Sequence, residues 1–418
     1  LVRNVDRHFL VWTTASHGLS CYLTESAQSL AVYIAPGERH VRVVEAENAR
    51  ERYAQYLIEA PLDENLVFFE SFLGKAYAGN PRYLYEALLR LRPDLRCVWS
   101  YDGEEAIPGD PVVVTRRSPE YYRLLAQARY RINNVIFSVH GKKPETCYLQ
   151  TWHGTPLKRI AFDIDNPQVD ERDNFYKESR GWSLLLSENS YSTSIFRRAF
   201  RYDGEVLEAG YPLTDPLVQP CADRVERLNA LGLPAQARVI LYAPTWRDHK
   251  PVGDWQYGLD LHLDLDAVAR RLPPDHFLLI KAHHLVAERL DRANLPANVR
   301  NVSQLGDITD LCRLADCLVT DYSSVFFDFA VTGRPILFFC YDLALYGEAL
   351  RGFYLDMQAD LPGPVVQDTE QLLDLILDLP AVSRRYATRY ARFRDRFCAL
   401  NDGQVAERVV ERVFGAIK

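Results

Sequence analysis

Methionine is almost missing from this sequence: Met357 is the only one in 418 residues, and the chain begins at Leu1. We read it as a fragment or an engineered chain with residues missing upstream. A long apolar run is missing too. The nearest, PILFFCYDLALY (335–346), is interrupted by Asp342 and falls well short of the ~20 residues that cross a bilayer. Arg3, Asp6 and Arg7 break up the start, so no secretory signal is expected. No CxxC pair occurs among the eight cysteines (21, 97, 147, 221, 312, 317, 340 and 398). Several lie inside apolar runs, which predicts buried free thiols in a reducing, cytoplasmic setting rather than a disulfide or metal framework. Positive charge is not in surplus either: 49 Lys and Arg face 56 Asp and Glu, a net charge of −7. That balance argues against a nucleic-acid partner, although it allows a local basic patch. There is no GxGxxG or Walker loop, no repeat of fixed period and no low-complexity tract.

What is present describes a folded protein. Apolar residues make up 48% and charged residues 25%, and the length exceeds one compact core, so two domains are expected. Over residues 1–60 the pieces FLVWTT, SLAVYIA and HVRVVEA suggest strands, followed by a helix near 46–58. From residue 61 the pattern becomes strand–helix alternation. NLVFFES, LRCVWS, DPVVVT, RINNVIFS, ETCYLQTW and WSLLLS read as strands, with helices at NPRYLYEALLRL, SPEYYRLLAQA and NSYSTSIFRRAF. Ser118 is placed as an N-cap with Pro119 at the first helical position. After a proline-rich stretch at 210–223, taken as a linker, the alternation restarts with ARVILYAP, DHFLLIKA, DCLVTD and RPILFFC as strands. The expected organisation is a segment 1–60, an α/β domain 61–218, a second α/β domain 219–380 and C-terminal helices 381–418. Each α/β domain is a doubly wound, Rossmann-type unit, and the two face a cleft.

Ligands of such sheets bind beyond the carboxyl ends of the strands, so the residues there are the candidates. CYLQTW is followed by His153, Gly154, Thr155 and Pro156. VILYA is followed by Thr245 and Arg247, FLLI by Lys281, His283 and His284, and CLVT by Asp321, Ser323 and Ser324. An imidazole at a strand end can take a proton from a hydroxyl near neutral pH. Gly154 lets a ligand approach the backbone. Thr155 and Pro156 look like the start of a helix, as cap and first residue. Ser323 and Ser324 stand at a helix start that favours anions. Arg247 and Lys281 are candidate phosphate partners, and Asp321 a candidate acceptor for neighbouring amides or a ribose. His283 and His284 are adjacent, with no third ligand at metal spacing, which argues against zinc. RRYATRYARFRDRF (384–397) reads as a basic amphipathic helix, either docking the domains with a solvated face or meeting an anionic partner.

Taken in order, ESFLGKAYAGNPRYLYEAL, RRSPEYYRLLAQARYRINN, LQTWHGTPLKRIAFDI, YAPTWRD, TDYSSVFFDFAVTGRPILFF, RGFY, PGPVV and FCALNDGQVAERV resemble the CDP-glycerol glycerophosphotransferase family of teichoic-acid primases and polymerases. The match runs from about residue 64 to the C-terminus. At 210–217 it departs, with Leu213 and Thr214 where the family tends to carry Arg-Asn. The resemblance implies a GT-B fold with a CDP-linked donor bound mainly by the C-terminal domain. It implies His153 as general base and His283 assisting at the phosphate. Thr245, Arg247, Lys281, Asp321, Ser323 and Ser324 would then hold the donor, and Gly154, Thr155 and Lys158 would lie on the acceptor side. It further implies no metal and no cofactor beyond CDP-glycerol or CDP-ribitol as donor, and a lipid-linked or polyol-phosphate acceptor. The reducing setting and the basic helix 384–397, read as meeting a phospholipid surface or a polyphosphate chain, together give the expectation of a cytoplasmic protein peripheral to the inner membrane face. A sugar-nucleotide glycosyltransferase of the same architecture and a non-catalytic module gripping an anionic polymer are the alternatives. Release of CMP, release of UDP, or tolerance of a truncated His153 separates the three.

Overall fold

The computed structural model describes residues 10–13, 17–23, 30–36, 49–164, 172–245, 262–282, 290, 294–343 and 352–415. HVRVVEA, Arg247, His283 and His284 lie outside the described residues.

Leu66, Val67, Phe68 and Phe69 are fully buried. An apolar run covered on both faces belongs in the middle of a parallel sheet with helices on each side. That strand, Asp63–Glu70, is central in a seven-stranded sheet. The order is Glu205–Glu208, Leu184–Ser187, Cys147–Gln150, Ala128–Asn133, Asp63–Glu70, Arg96–Ser100 and Val112–Val114, every pair parallel. A second parallel sheet has six strands, ordered Val299–Asn301, His276–Ile280, Arg238–Ala243, Cys317–Thr320, Ile336–Phe339 and Val365–Val366. Each sheet carries an apolar core on both faces. The first three strands, Leu10–Thr13, His17–Leu23 and Leu30–Pro36, form a separate antiparallel sheet.

In both large sheets the strand order reverses between two neighbours. The reversal falls between Asp63–Glu70 and Ala128–Asn133 in the first, and between Arg238–Ala243 and Cys317–Thr320 in the second. A crevice opens at the carboxyl edge of such a reversal, and the candidate residues sit at these edges.

Two C-terminal helices tie the sheets together. Leu379–Phe397 puts Phe393 and Phe397 into the core of the six-stranded sheet. Val405–Phe414 lays Val405, Val409, Val410 and Phe414 on the core of the seven-stranded sheet. Among the described residues no helix is long and apolar enough to cross a membrane.

Several local expectations are met and others corrected. Ser118 Oγ accepts the Tyr121 amide at 3.1 Å, with Pro119 opening the helix. Cys97, Cys147, Cys221, Cys312, Cys317 and Cys398 are free thiols. RINNVIFS is strand only over Arg131–Asn133, the end of Ala128–Asn133: pairing stops at Asn133, whose Oδ1 accepts the Val135 amide at 2.6 Å and turns the chain aside. The proline-rich stretch runs between the last strand of the first sheet and the first strand of the second, and it is packed. Tyr211, Leu213 and Thr214 are buried, and the Leu213 amide donates to Asn80 Oδ1 at 3.2 Å. Strands at 205–208, 299–301 and 365–366 are short and lie at sheet edges, where half-exposed residues leave little apolar pattern to read.

Candidate active site

His153 is built from three elements. The strand Cys147–Gln150 delivers it, and the Thr151 amide bonds the Asn133 carbonyl at 2.9 Å. Trp152 then takes φ +54°, uncommon for a bulky residue. Asn80, at the start of the helix Gly79–Leu91, holds that turn from outside. Its Nδ2 donates to the carbonyls of Thr151 and Trp152 at 3.2 and 3.4 Å. The indole of Trp152 stacks on the imidazole with ring centroids 4.3 Å apart.

His153 Nδ1 lies 2.6 Å from the Asn134 carbonyl oxygen. A carbonyl only accepts, so the proton resides on Nδ1 and the basic lone pair on Nε2. Asn134 is itself fixed: its Oδ1 accepts the Phe72 amide at 2.8 Å and its Nδ2 donates to Ser71 Oγ at 3.1 Å. Beneath lies fully buried Glu70, which receives Ser100 Oγ at 2.8 Å, Asn133 Nδ2 at 3.1 Å and Arg116 Nε at 3.2 Å. Burial raises the Glu70 carboxyl, against the pull of Arg116.

The residues after His153 bind the two domains together. A Cβ on Gly154 would stand 2.6 Å from Ser324 Oγ of the other domain, and the backbone there has φ +143°. Glycine at this position lets the two walls of the cleft meet. Thr155 and Pro156 start no helix, contrary to the sequence reading. The Thr155 hydroxyl is buried, donates to Glu188 Oε2 and accepts from Asn189 Nδ2 at 3.4 Å and Ser192 Oγ at 3.3 Å rather than from a helix amide. The chain runs on extended and pairs with the RGFY segment. Lys158 bridges Phe353, the Arg159 amide bonds the Gly352 carbonyl at 3.1 Å, and the Tyr354 amide bonds the Leu157 carbonyl at 2.9 Å.

The opposite wall comes from the six-stranded sheet. Buried Asp321 accepts the Thr245 amide at 2.8 Å and the Tyr322 amide at 2.5 Å, locking two strand ends at the reversal point. Ser323 and Ser324 precede the short helix Val325–Ala330. Lys281 Nζ donates to the carbonyls of Ser303 at 3.0 Å, Gly306 at 3.2 Å and Leu305. Those bonds use all three ammonium donors. Lys281 therefore fixes the 303–306 loop and offers the cleft a positive charge rather than a spare hydrogen bond. Burial lowers its pKa and nearby Asp307 opposes that.

Between the walls is a cleft of about 420 Å³. His153, Gly154, Thr155, Lys158, Thr245, Lys281, Ser323 and Ser324 all line it; Asp321 stands behind as a support. Arg247 and His283 are outside the described residues.

Sequence reasoning missed the supports. Glu188, at the end of Leu184–Ser187, is buried and accepts Asn401 Nδ2 at 2.8 Å as well as Thr155. Burial pushes it to about 7. Asp328, from the other domain, is raised well above the usual carboxylate range by burial and by Glu188. Arg82 pairs with Asp310 across the domains at 2.6 Å, and buried Asp307 accepts the Gly79 amide at 2.9 Å. Arg82, Asp328 and Asn401 fall inside the ordered motifs, whereas Glu188, Asp307 and Asp310 lie outside them and carry no such signal.

The chain matches the family described as CDP-glycerol:poly(glycerophosphate) glycerophosphotransferase over residues 52–415. It is 40% identical to the teichoic acid glycerol-phosphate transferase of Staphylococcus aureus over 84% of this chain and 93% of that one. It is 36% identical to the teichoic acid poly(glycerol phosphate) polymerase of Staphylococcus epidermidis over 91% of this chain. There it spans just over half of its relative, 55% of the length. Among solved structures it resembles the wall teichoic acid polymerase TagF, with TM-score 0.82, 35% identity, and 90% of this chain and 96% of that one covered. A GT-B-like pair of domains, a motif-built cleft and a family match over nearly the whole chain agree: this protein belongs to the CDP-glycerol:poly(glycerophosphate) glycerophosphotransferase family.

Proposed function

We propose that this cleft transfers glycerol phosphate from CDP-glycerol to the terminal hydroxyl of a lipid-linked or polymeric acceptor in teichoic-acid synthesis. The observation that carries the reading is His153, held with its basic nitrogen away from Asn134, opposite the strand ends of the donor-side sheet in one cleft. His153 Nε2 takes the acceptor's hydroxyl proton. The freed oxygen attacks the β-phosphorus in line, the bond from that phosphorus to the bridging oxygen breaks, and CMP leaves with that oxygen. Transfer of this kind depends on positioning and charge neutralisation. The Ser323–Ser324 turn, the Thr245 region and the Lys281 charge supply these, with Arg247 and His283 assigned to the same task from the sequence. Gly154, Thr155 and Lys158 form the acceptor side, through the wall they build with Ser324 and Phe353.

Glycerol rather than ribitol is the proposed donor polyol, supported by the names of the most similar relatives. We assign charge neutralisation to side chains without a metal, so a chelator leaves turnover unchanged. A place at the inner membrane face follows from a lipid-linked acceptor. A donor panel tests the reading: CDP-glycerol releases CMP in the presence of acceptor, CDP-ribitol does so poorly, and UDP-sugars release no UDP. UDP release would move the chain to the glycosyltransferases.

A further inference from the structure

The helix Leu379–Phe397 does more than dock the domains. Between residues 384 and 397 it carries six arginines and a single acid, Asp395. All six arginines are exposed. Arg385, Arg389, Arg392 and Arg396 follow one another at intervals of four, three and four, which lines them up on one flank. At 1.5 Å per residue the stripe is about 16 Å long.

Three of these guanidiniums, those of Arg385, Arg389 and Arg396, are held against neighbouring groups. Arg385 and Arg389 lie over the ring of Tyr386 at 5.9 and 5.7 Å, and Arg389 Nη1 donates to the Gln358 carbonyl at 3.0 Å. Little acid neutralises them. Asp360 stands 3.9 Å from Arg396, and the Asp356 carboxylate is occupied by the amides of Gln358 and Ala359. Among the described residues no ion pair is formed by Arg385, Arg389 or Arg392.

The stripe ends at the cleft. Arg396 lies over the ring of Tyr191 at 5.3 Å, and Tyr191 donates its hydroxyl proton to the Pro156 carbonyl at 2.8 Å. Pro156 lines the cleft next to His153. One aromatic side chain therefore separates the last arginine of the stripe from the acceptor-side wall.

A bilayer fits this helix poorly. Interfacial helices sink an apolar face into the acyl boundary. Here that face is already spent inside the protein: Val382, Phe393 and Phe397 are buried, and Tyr386 and Tyr390 pack on the same cores. What remains for a partner is a narrow row of planar cations ending at a catalytic cleft. Such a row suits a flexible chain of phosphodiesters, each able to take a forked pair of hydrogen bonds from one arginine.

We propose that Arg385, Arg389, Arg392 and Arg396 form a track that holds the phosphodiester backbone of a polyol-phosphate acceptor behind its reacting end. The inference rests on the proposed function, because it takes the acceptor to be a polyanion. It extends that reading by naming a second binding site for the same chain outside the cleft.

The test compares the wild-type protein with the variant Arg385→Gln/Arg389→Gln/Arg392→Gln, and with the matching triple lysine variant. Two acceptors are used with CDP-glycerol: glycerol carrying one phosphodiester, and a long phosphodiester-linked glycerol oligomer. The glutamine variant should raise KM for the long oligomer by about tenfold and flatten its dependence on salt, because three phosphate contacts are lost. Turnover of the short acceptor should be unchanged, which also shows that the variant folds. The lysine variant should recover most of the long-oligomer affinity. Equal effects on both acceptors, or no effect on either, would overturn the track. So would loss of binding to phosphatidylglycerol vesicles with an unchanged KM for the oligomer, which would assign the stripe to a membrane. Binding of the long oligomer without donor is measured alongside. If wild-type protein releases no CMP, the proposed function fails, while this binding measurement still decides whether the track exists.

Discussion

His153 has Nδ1 2.6 Å from the Asn134 carbonyl, and its neighbours Gly154 and Thr155 are each committed to a different contact. Gly154 faces Ser324 across the cleft. Alanine there would force a Cβ to within 2.6 Å of Ser324 Oγ and strain a backbone at φ +143°. Strain of this kind costs about 1–3 kcal/mol. Gly154→Ala is expected to lower kcat/KM at least tenfold (about 1.4 kcal/mol), in a steady-state assay, with the two walls held apart. Thr155 leans on Glu188, whose buried carboxyl sits at about 7, and Asp328 is raised in the same direction. The folded protein thus keeps protons that the unfolded chain gives up. Stability from this source is complete below the ordinary carboxylate value of about 4.3. It is lost as pH rises through about 7. Glu188→Gln copies the protonated form. Its melting temperature should therefore vary less with pH than wild type across that interval, as followed by calorimetry. An equal pH dependence in both proteins would show that Glu188 is ionised throughout.

The long parallel strands could be read directly, because burial on both faces leaves unbroken apolar runs such as Leu66–Phe69. The strand ends were legible for the same reason: polar residues that interrupt such runs have few structural uses. His153, Thr245, Lys281 and the Ser323–Ser324 turn duly line one cleft. The element after His153 was not legible. Thr-Pro carries the local signature of a helix start, but the Thr155 hydroxyl goes to Glu188 and the backbone of 157–159 pairs with 352–354. Nothing near Thr155 in sequence announces a carboxylate 33 residues on, or that Lys158 pairs with Phe353. Distance in sequence also hid Asp307, which meets Gly79 across the domains. Asp307→Ala would leave the buried Gly79 and Thr309 amides without their acceptor. This should cost roughly 1–3 kcal/mol per orphaned group, read from denaturant midpoints. A change within error would mean that these amides find other acceptors.

For the whole molecule, the helix Val405–Phe414 makes stability of the domain around the seven-stranded sheet depend on a segment distant in sequence. Val405–Phe414 adds five buried apolar residues to the core beneath Gly79–Leu91. Val409→Ala should therefore destabilise that domain by about 1–3 kcal/mol. The loss should appear as faster amide exchange in the strands around Asp63–Glu70, with the strands of the six-stranded sheet less affected. Uniform loss in both sheets would instead make the protein one cooperative unit. The molecule as a transferase rests on one base. The most direct measurement is CMP release from CDP-glycerol, with a glycerol-phosphate acceptor, by wild-type protein and by His153→Ala in parallel. The account predicts release by the wild type and a fall of about 10²–10⁴-fold in kcat for the variant, the usual worth of a general base. Undiminished turnover by His153→Ala would contradict it.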